Sequence, residues 1–582
     1  MAKKKNAKAA ATPAGPQPRD PRALLTVAFA IAVLVGWYLL ASGPGSWLSK
    51  TTNDALVNKL ALALSVAALG LLAWGYSLAQ NGAPLRWLKF RDQALLALGL
   101  LGALSYSNFG YLHWQNFIHA WDTYHYYMGA KYFPELGYDL LYDCAVVADS
   151  EVGLKGTADR VVTDLRTNVM VKVTDLLAHP ERCKDRFSAS RWADYKADLA
   201  WFRTRFDTKR WSDMHHDHGY NATPVWTLLG FALANTGTAG LTQVTLIDLL
   251  DPLYLLLTAL ALGWAFGFRV FAIGLLALGA HFPNRYYWTG GAMLRYDWLF
   301  FTVLTVCLLK KNRPTLAGAS IAYATLLRLF PGLLLLGPAL WAANAWTKRK
   351  TDEESARAVK FTIPRFALGG IAATFLLVGT SLLAFGGTEP WKTFAHNTQK
   401  HANTPLTNHM GLRTVLSYRP WTIGARLRDG NAIDPWAKWK ETRLENFAKA
   451  KPVFVALLLG MAALFFLAIR DSNLPLWAAA ALGSGTIVFG AELTCYYYCF
   501  LMAFAPLYEK KREAGLLLLA LCAVSQFIGL APIPSMSKWE DEQYTAMSLA
   551  ALFAVAGTAW VFTRWSRHDN VEPDPAVERF VP

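Results

Sequence analysis

The sequence predicts an all-α polytopic membrane protein, and this fold class rests on three observations. The chain of 582 residues is 54% hydrophobic and only 17% charged, whereas an ordinary soluble protein carries about 25% charged residues. Its apolar residues fall into blocks of about 17–25 residues, the length that crosses a bilayer as a helix. Lysine and arginine gather in the short stretches between blocks, as they do in cytoplasmic loops.

Counting the apolar blocks and orienting them by the basic stretches predicts about 14 transmembrane helices, with both termini in the cytoplasm. A large extracytoplasmic loop follows the third helix and another follows the ninth. Within the first of these, residues 225–234 are apolar but too short to cross, and predict a re-entrant or surface helix. The predicted segments are a disordered basic tail (1–22), three transmembrane helices (23–113), the first loop (114–240), a central transmembrane core (241–385), the second loop (386–452), C-terminal transmembrane helices (453–563) and a cytoplasmic tail (564–582).

The alternative for the first apolar run is a secretory signal that is later removed. The run is long for a signal, and the sequence near Ala41 fits a cleavage site poorly, so an uncleaved first helix is favoured. The formal net charge of +16 agrees with the positive-inside distribution of a membrane protein. No nucleic-acid partner is therefore expected.

Cysteine positions predict one disulfide. The chain has six cysteines, and Cys144 and Cys183 are the two that fall in the first loop. An extracytoplasmic compartment is oxidising, so these two are expected to pair. The remaining four lie in or near apolar runs and are expected to be inert.

A run of polar and aromatic residues, WDTYHYY at 121–127, stands where the third predicted helix ends. An acidic residue is costly to hold at a membrane boundary, so Asp122 indicates a functional site. A carboxylate there can act as a general base on a hydroxyl group. His125, Tyr126 and Lys131 follow it closely and are predicted to contact substrate. The alternative is an interfacial aromatic belt around an ordinary aspartate.

Three arginines are candidates for binding a phosphate group, because the planar guanidinium fork matches phosphate oxygens. Arg285 and Arg295 lie in one predicted outer turn, where simple snorkelling to the interface is the alternative. Arg328 stands between two apolar half-helices, just before Pro331 and a glycine. A charge in that position needs an anion or a carboxylate partner, so a structural salt bridge is the alternative.

Two further polar clusters could border a substrate. His218 and Tyr220 stand where the chain returns to the membrane, in a stretch that also holds neighbouring histidines. A pocket rim, a metal site and a solvated stretch remain open there, although adjacent ligands rarely all point at one ion. Asn408, His409 and Arg413 in the second loop suit sugar hydroxyls or a pyrophosphate-like head group, unless that stretch is simply hydrated. No Walker loop, nucleophile elbow or zinc signature is present, and neither cofactor nor metal is predicted.

The stretches GGAMLRYDWLFF at 290–301 and 308–336 resemble the central hairpin of integral-membrane glycosyltransferases of the C superfamily. The resemblance is to the branch of polyprenol-phosphate-mannose-dependent mannosyltransferases that build bacterial glycolipids. WDTYHYY at 121–127 resembles the start of that family's first outer loop, and NHMGLR at 408–413 resembles its later polar loop. Two features depart from the family: Gly291 stands where glutamine is usual, and the first loop is long and preceded by extra spans.

The resemblance implies a bacterial inner-membrane enzyme that transfers mannose or a similar sugar from a polyprenyl-phosphate donor, with inversion. The acceptor would be a hydroxyl of a glycolipid or glycan on the extracytoplasmic face. Asp122 would be the base, and Arg328 with Arg295 or Arg285 would hold the donor phosphate. A monophosphate donor does not require a metal. A transporter or flippase for a lipid-linked sugar or an anion is the alternative, for which Asp248 and Asp251 are the acidic residues deepest in the apolar runs.

Overall fold

The computed structural model describes residues 54–113, 116–471, 474–530 and 541–563. The predicted first helix at 23–42 and both predicted tails lie outside these residues. Within the described part the chain is mostly helical, with only short strands. The all-α fold class predicted from composition is therefore confirmed.

Eleven helices run from the first described residue to the start of the central apolar region. They are α1 (Asp54–Gln80), α2 (Leu85–Tyr106), α3 (Ala120–Lys131), α4 (Phe133–Leu136), α5 (Leu141–Glu151), α6 (Thr174–Ala178), α7 (Glu181–Lys184), α8 (Ala189–Arg203), α9 (Thr208–Met214), α10 (Pro224–Ala234) and α11 (Leu241–Asp248).

The remaining α-helices follow in chain order within the described ranges. They are α12 (Leu250–Phe266), α13 (Phe268–Gly279), α14 (Tyr286–Thr289), α15 (Asp297–Lys310), α16 (Pro314–Leu327), α17 (Leu336–Lys348), α18 (Glu353–Arg357), α19 (Ile363–Ala384), α20 (Glu389–Ala402), α21 (Leu412–Ser417), α22 (Gly424–Leu427), α23 (Ala437–Asp471), α24 (Leu476–Gly483), α25 (Thr486–Gly490), α26 (Arg512–Leu530) and α27 (Asp541–Thr563).

Tighter or wider helical turns and two antiparallel strand pairs complete the described chain. The 3-10 helices are Asn108–Gly110, Thr157–Asp159, Phe330–Leu335 and Cys495–Glu509, and a π-helix spans Ala358–Thr362. The strand pairs are β1 (Val161–Asp164) with β2 (Val169–Lys172), and β3 (His409–Met410) with β4 (Leu493–Thr494). The second pair joins the second loop to the C-terminal part of the chain.

Six helical segments of the described chain are long and apolar enough to cross a membrane: Leu56–Leu78, Leu241–Phe266, Glu353–Ala384, Ala437–Arg470, Arg512–Leu530 and Asp541–Thr563. Four shorter apolar helices accompany them: Pro224–Ala234, Phe268–Gly279, Pro314–Leu327 and Leu476–Gly490. A multi-pass membrane protein is thus supported, but the expected count of about 14 spans is not reproduced.

Within the described residues, the predicted spans outnumber the long apolar helices, because hydropathy cannot tell a lipid-facing helix from a buried one. The predicted span at 494–508 is a 3-10 helix containing Pro506, and most of its side chains are buried inside the protein. The predicted break between two half-helices at Arg328 is confirmed, because α16 ends at Leu327 and Arg328 has extended backbone angles. Apolar runs of this kind need protein contacts, because in lipid their backbone groups would lack hydrogen-bond partners.

The predicted loops are also more ordered than expected. Helices α3 to α10 and the β1–β2 hairpin occupy the first loop, around a core rich in buried aromatic rings. The bridge predicted from the sequence, Cys144–Cys183, joins α5 to α7 with a Cα separation of 5.4 Å. The predicted re-entrant or surface helix at 225–234 is α10, which packs against α3. In the second loop, α23 begins at Ala437 and continues without interruption into the following apolar run.

Buried ion pairs hold the first loop together. Asp149 is completely buried and lies 2.7 Å from both Arg160 and Arg203. Its carboxylate also accepts a 2.7 Å hydrogen bond from the indole of Trp211. A buried charge is tolerated only when it is paired and hydrogen-bonded. This carboxylate therefore ties three separate stretches of the first loop into one unit.

Candidate functional site

Hydrogen bonds hold the start of α3, in the first loop, against the turn that precedes α15. The His113 Nε2 donates to Gly290 O at 2.6 Å, and the His119 backbone N–H donates to Gly291 O at 2.9 Å. The His119 Nε2 also donates to Tyr287 O at 3.0 Å. Carbonyl oxygens only accept, so both rings carry their proton on Nε2. These bonds bring the residue expected to be a base close to the predicted outer turn.

Gly291 makes that close approach possible. Its φ is +68°, in the left-handed region that glycine occupies without penalty. A Cβ at this position would collide with Phe117 O and with the hydroxyl of Tyr286. The glycine at this position thus has a local cause in the packing of the start of the first loop against the turn that precedes α15.

Asp122 lies in the first turn of α3, where the helix dipole favours a negative charge. The His119 Nδ1 accepts a hydrogen bond from the Asp122 N–H at 3.1 Å and caps the helix. The Oδ2 of Asp122 is 2.7 Å from the Arg295 Nε but has no aligned hydrogen-bond donor. Burial raises the pKa of Asp122, and the positive charge of Arg295 lowers it only in part, so the pKa lies above its ordinary value.

The backbone around Arg295 is fixed by a carboxylate that the sequence did not assign to this site. Asp251 Oδ1 accepts hydrogen bonds from the N–H groups of Arg295 (2.6 Å) and Tyr296 (3.2 Å), and its Oδ2 accepts one from Ala292 (3.1 Å). Leu294, between them, has a φ of +52°, which costs a residue other than glycine about 1–2 kcal/mol. Asp251 therefore holds a strained turn that aims Arg295 at Asp122.

Two buried arginines lie against one tyrosine ring. The guanidinium carbons of Arg295 and Arg328 are 4.7 Å and 5.2 Å from the ring centroid of Tyr126. Tyr126 is held in turn by its hydroxyl, which donates to Asn221 Oδ1 at 2.6 Å. Tyr496 and Tyr497 add two more rings within 5.7 Å of the Arg295 guanidinium. Stacking on aromatic rings suits a guanidinium group and leaves its N–H edges available for a ligand.

Several of those N–H groups are buried and unpaired. Arg295 Nη1, Arg328 Nε and Arg328 Nη2 have no hydrogen-bond partner, and neither residue is more than 8% exposed. Arg328 forms no ion pair with any residue in the described ranges, and the one hydrogen bond of its side chain goes from Nη1 to Leu327 O at 3.2 Å. A structural salt bridge thus does not account for Arg328. Buried cations with unpaired donors are costly, so this arrangement calls for an anion.

Arg285 is not part of this group. Its guanidinium lies 3.6 Å from the ring centroid of Phe282, its Nε donates to Phe282 O at 3.2 Å, and its Nη1 donates to the Tyr287 hydroxyl at 3.4 Å. None of its contacts within the described chain reaches Tyr126. Of the three arginines expected from the sequence, the structure brings two together.

His125 has internal partners on both ring nitrogens. Its Nδ1 donates to Trp121 O at 2.8 Å, and the Tyr142 hydroxyl donates to its Nε2 at 2.6 Å. The same hydroxyl accepts a hydrogen bond from Gly219 N–H at 3.0 Å. Through these bonds His125 links α3 to the stretch that follows α9, and both of its ring nitrogens have partners within the protein.

Two other predicted substrate contacts are also occupied by the protein. Lys131 forms a buried ion pair with Asp198 at 2.7 Å and donates to Gly237 O at 2.6 Å. Tyr220 is buried, with its hydroxyl 2.6 Å from Thr227 Oγ1. These contacts pack the first loop and engage the polar group of each side chain.

A second carboxylate lies beside Asp122 on the return stretch of the first loop. The Trp121 indole donates to Asp217 Oδ2 at 2.7 Å, and the His218 N–H donates to Asp217 Oδ1 at 2.9 Å. Burial alone would raise the pKa of Asp217, but hydrogen bonds from His218 and Trp121 and the nearby His125 lower it below its usual range. Asp217 therefore remains ionised where Asp122 is pushed toward its protonated form.

Glu492 is the centre of a further polar cluster that the sequence did not single out. The β3–β4 pairing places it beside the second loop, 3.3 Å from Arg413 Nε and 3.9 Å from His409 Nδ1. Its other oxygen accepts a 2.9 Å hydrogen bond from Thr414. Asn408 contributes its backbone carbonyl, which accepts from Cys495 N–H at 2.9 Å. The only sequence signal was an isolated acid between two apolar runs.

The described residues contain no group of three or more histidine, cysteine, aspartate or glutamate side chains arranged to hold a metal ion. Fold and site together define a multi-pass helical membrane protein. Its site is a buried pair of arginines with unpaired N–H groups that could bind an anion, next to the carboxylates of Asp122 and Asp217. Comparison of the chain with protein-family models, with curated proteins and with solved structures found no match. The geometry of the site is thus the basis on which its function can be inferred.

Proposed function

We propose that this protein is a membrane glycosyltransferase, similar to polyprenol-phosphate-mannose-dependent enzymes of the C superfamily. It transfers mannose or a similar sugar from a polyprenyl-phosphate donor to a hydroxyl of a glycolipid or glycan. The observation that carries the proposal is the pair of buried, partly unpaired arginines on Tyr126, directly beside the carboxylate of Asp122.

The arginines are suited to hold the donor phosphate. In the transfer, the bond between the anomeric carbon and the phosphate oxygen breaks, and the phosphate leaves with both electrons. Negative charge grows on that oxygen, where N–H groups of Arg295 and Arg328 without partners can stabilise it. The aromatic rings around them keep the guanidinium groups oriented, so little reorganisation is needed during the reaction.

Asp122 is suited to accept the proton of the acceptor hydroxyl while that oxygen bonds to the anomeric carbon from the opposite face. Before the donor binds, its carboxylate is paired with Arg295. A bound phosphate would compete for the same guanidinium and release the carboxylate. Because burial raises the pKa of Asp122, the released group is a stronger base than an exposed aspartate.

The proposed reaction places both loops outside the cell membrane and both termini in the cytoplasm, in a bacterial inner membrane. The basic residues of the short stretches between apolar blocks support this orientation. The disulfide between Cys144 and Cys183 supports it independently, because stable disulfides belong to oxidising compartments. The lipid tail of the donor would then lie among the apolar helices.

A transporter or flippase would need acidic groups free to change partners. Asp251 is occupied by three backbone N–H groups of the turn at Arg295. Asp248 accepts a hydrogen bond from the Thr123 hydroxyl at 2.9 Å, next to Asp122. Asp251 therefore serves to position the site, which favours the enzyme over the transporter, whereas Asp248 keeps one oxygen without a hydrogen-bond partner.

Donor binding tests the proposal through the difference between Arg328 and Arg285. Native mass spectrometry of the full chain in detergent, titrated with undecaprenyl phosphate, should show one bound lipid. Arg328→Ala removes charge-assisted hydrogen bonds of about 1.5–3 kcal/mol each, so binding should weaken about tenfold to a hundredfold. Arg285→Ala is the matched control and should bind like the wild type.

The same variant separates a ligand-binding arginine from a structural one. Because Arg328 makes no ion pair within the described chain, Arg328→Ala loses only its contacts with Tyr126, Trp226 and Leu327 O and should lower the melting temperature measured without lipid only slightly. Equal binding by the wild type and Arg328→Ala, or a large loss of stability without any loss of binding, would remove the basis for the proposed phosphate site.

A further inference from the structure

The two loops meet at a row of histidines next to the proposed base. The rings of His218, from the first loop, and His401, from α20 in the second, have their centroids 5.8 Å apart. Asn168 bridges the same junction, because its Nδ2 donates to His401 Nδ1 at 3.3 Å and to Thr404 Oγ1 at 3.1 Å. The junction is thus built from both loops rather than from one flexible stretch.

One ring nitrogen at this junction is buried without a partner. Since His401 Nδ1 accepts from Asn168, a neutral ring carries its proton on Nε2. That Nε2 is buried and has no hydrogen-bond partner. An unsatisfied buried donor is unfavourable, and a ligand oxygen at this point would give it a hydrogen-bond partner.

The junction is chemically unlike the arginine pair. Burial lowers the pKa of His401 to about 3 and that of His409 to about 4, so both rings are neutral at pH 7. The carboxylate of Glu492 is paired with Arg413, and Asp217 contributes a negative charge. A phosphate would be repelled by Asp217, and the two arginines near His409, Arg413 and Arg443, both face the carboxylate of Glu492. A hydroxyl group suits them, because it can donate to a carboxylate and accept from an imidazole N–H.

We propose that the acceptor is a neutral carbohydrate whose hydroxyl-bearing ring binds between Asp217 and His218 on the first loop and His401 and His409 on the second. This inference rests on the proposed glycosyltransferase function and narrows its acceptor. The indole of Trp121 holds Asp217 in place, and Asp122 is the next residue along α3. A sugar in the junction is therefore adjacent to the base, while the donor phosphate occupies the arginine half.

Ligand binding tests the inference without requiring turnover. The probes are methyl α-D-mannopyranoside, methyl α-D-glucopyranoside and methyl α-D-galactopyranoside, with glycerol 3-phosphate as the anionic comparison. Saturation-transfer NMR on the full chain in detergent should detect at least one neutral glycoside and no competition from glycerol 3-phosphate. His401→Phe keeps a ring but loses the N–H, and should weaken the glycoside about threefold to tenfold, the equivalent of one hydrogen bond.

Two further variants make the result specific. His401→Gln retains an N–H donor and should recover part of the affinity for the glycoside. If His401 had a purely structural role, that affinity would not depend on whether the new side chain carries an N–H donor. His396→Phe, at an exposed position of the same helix α20, is the matched control and should bind the glycoside like the wild type. If His401→Phe does not fold, Asp217→Asn replaces it, with a similar expected loss.

The inference is wrong if no neutral glycoside binds, if only glycerol 3-phosphate binds, or if the folded variants bind the glycoside like the wild type. Undecaprenyl phosphate is titrated in parallel. If the protein binds this lipid in a manner that depends on Arg328 but binds no glycoside, the glycosyltransferase proposal stands and only the proposed carbohydrate acceptor is wrong. If the wild type does not bind undecaprenyl phosphate at all, the proposed function is wrong.

Discussion

Replacing Asp122 by asparagine separates the chemistry of this site from its binding. An asparagine side chain has nearly the same shape as an aspartate, and the backbone N–H at this position would still be capped by His119. The general base would be lost, and general-base assistance is worth about 10²–10⁴ in rate. Sugar transfer by Asp122→Asn should therefore fall at least about a hundredfold.

The effect on the donor should have the opposite sign. In the wild type, Arg295 lies 2.7 Å from the Asp122 carboxylate, and a donor phosphate must compete with it. An asparagine amide competes less, so undecaprenyl phosphate should bind Asp122→Asn at least as tightly as it binds the wild type. Stability should decrease without donor by about 1–3 kcal/mol, because the buried Arg295 loses its counter-charge.

The assay follows a radiolabelled sugar from polyprenyl-phosphate-mannose into acceptor, together with lipid binding by native mass spectrometry. Asp213→Asn is the matched control, because Asp213 lies in the same loop but is 40% exposed and pairs with Lys209 at the surface. The reasoning is refuted if Asp122→Asn transfers sugar within tenfold of the wild-type rate. It is also refuted if transfer is lost together with donor binding, since Asp122 would then be a binding residue.

Two further predictions concern the turn at Gly291, next to the site, and a buried carboxylate of the first loop, Asp143, which pairs with Arg166. Gly291→Gln should abolish transfer and lower the melting temperature, because any side chain there meets Phe117 and Tyr286 at a φ of +68°. An active, stable variant would show that this turn can separate from the start of the first loop. Burial raises the pKa of Asp143 to about 6, so its folded form binds protons more tightly than its unfolded form. Stability from this group is present below pH 4 and is lost as the pH rises through 6, by about 3 kcal/mol. Chemical denaturation across that range should therefore show a decline that Asp143→Asn lacks, and parallel curves would contradict the assignment.

Local composition determined the class of this protein and several of its key residues. Apolar blocks and basic stretches are properties of neighbouring residues, so a helical membrane protein could be predicted without knowing any contact. The positions of Asp122, Arg295 and Arg328 stood out because a charge near an apolar run is costly whatever surrounds it. Cys144 and Cys183 stood out because they share one polar loop.

Partners distant along the chain were decided only by the tertiary structure. Lys131 and Arg285, like Arg328, were predicted to bind substrate or phosphate from their neighbours in the sequence alone. In the structure Lys131 pairs with Asp198, and Arg285 packs on its own turn. Asp251 and Glu492 became part of the site through contacts to Arg295 and Arg413, far from them in sequence.

The number of spans also depends on tertiary contacts that the sequence alone does not show. Hydropathy counts apolar residues, and an apolar run buried against protein gives the same signal as one facing lipid. Whether such a run is a long helix, as at Asp541–Thr563, or a 3-10 segment, as at Cys495–Glu509, depends on which neighbours cover it. The identity of a residue sets what its burial costs, but only the folded chain sets which partner offsets that cost.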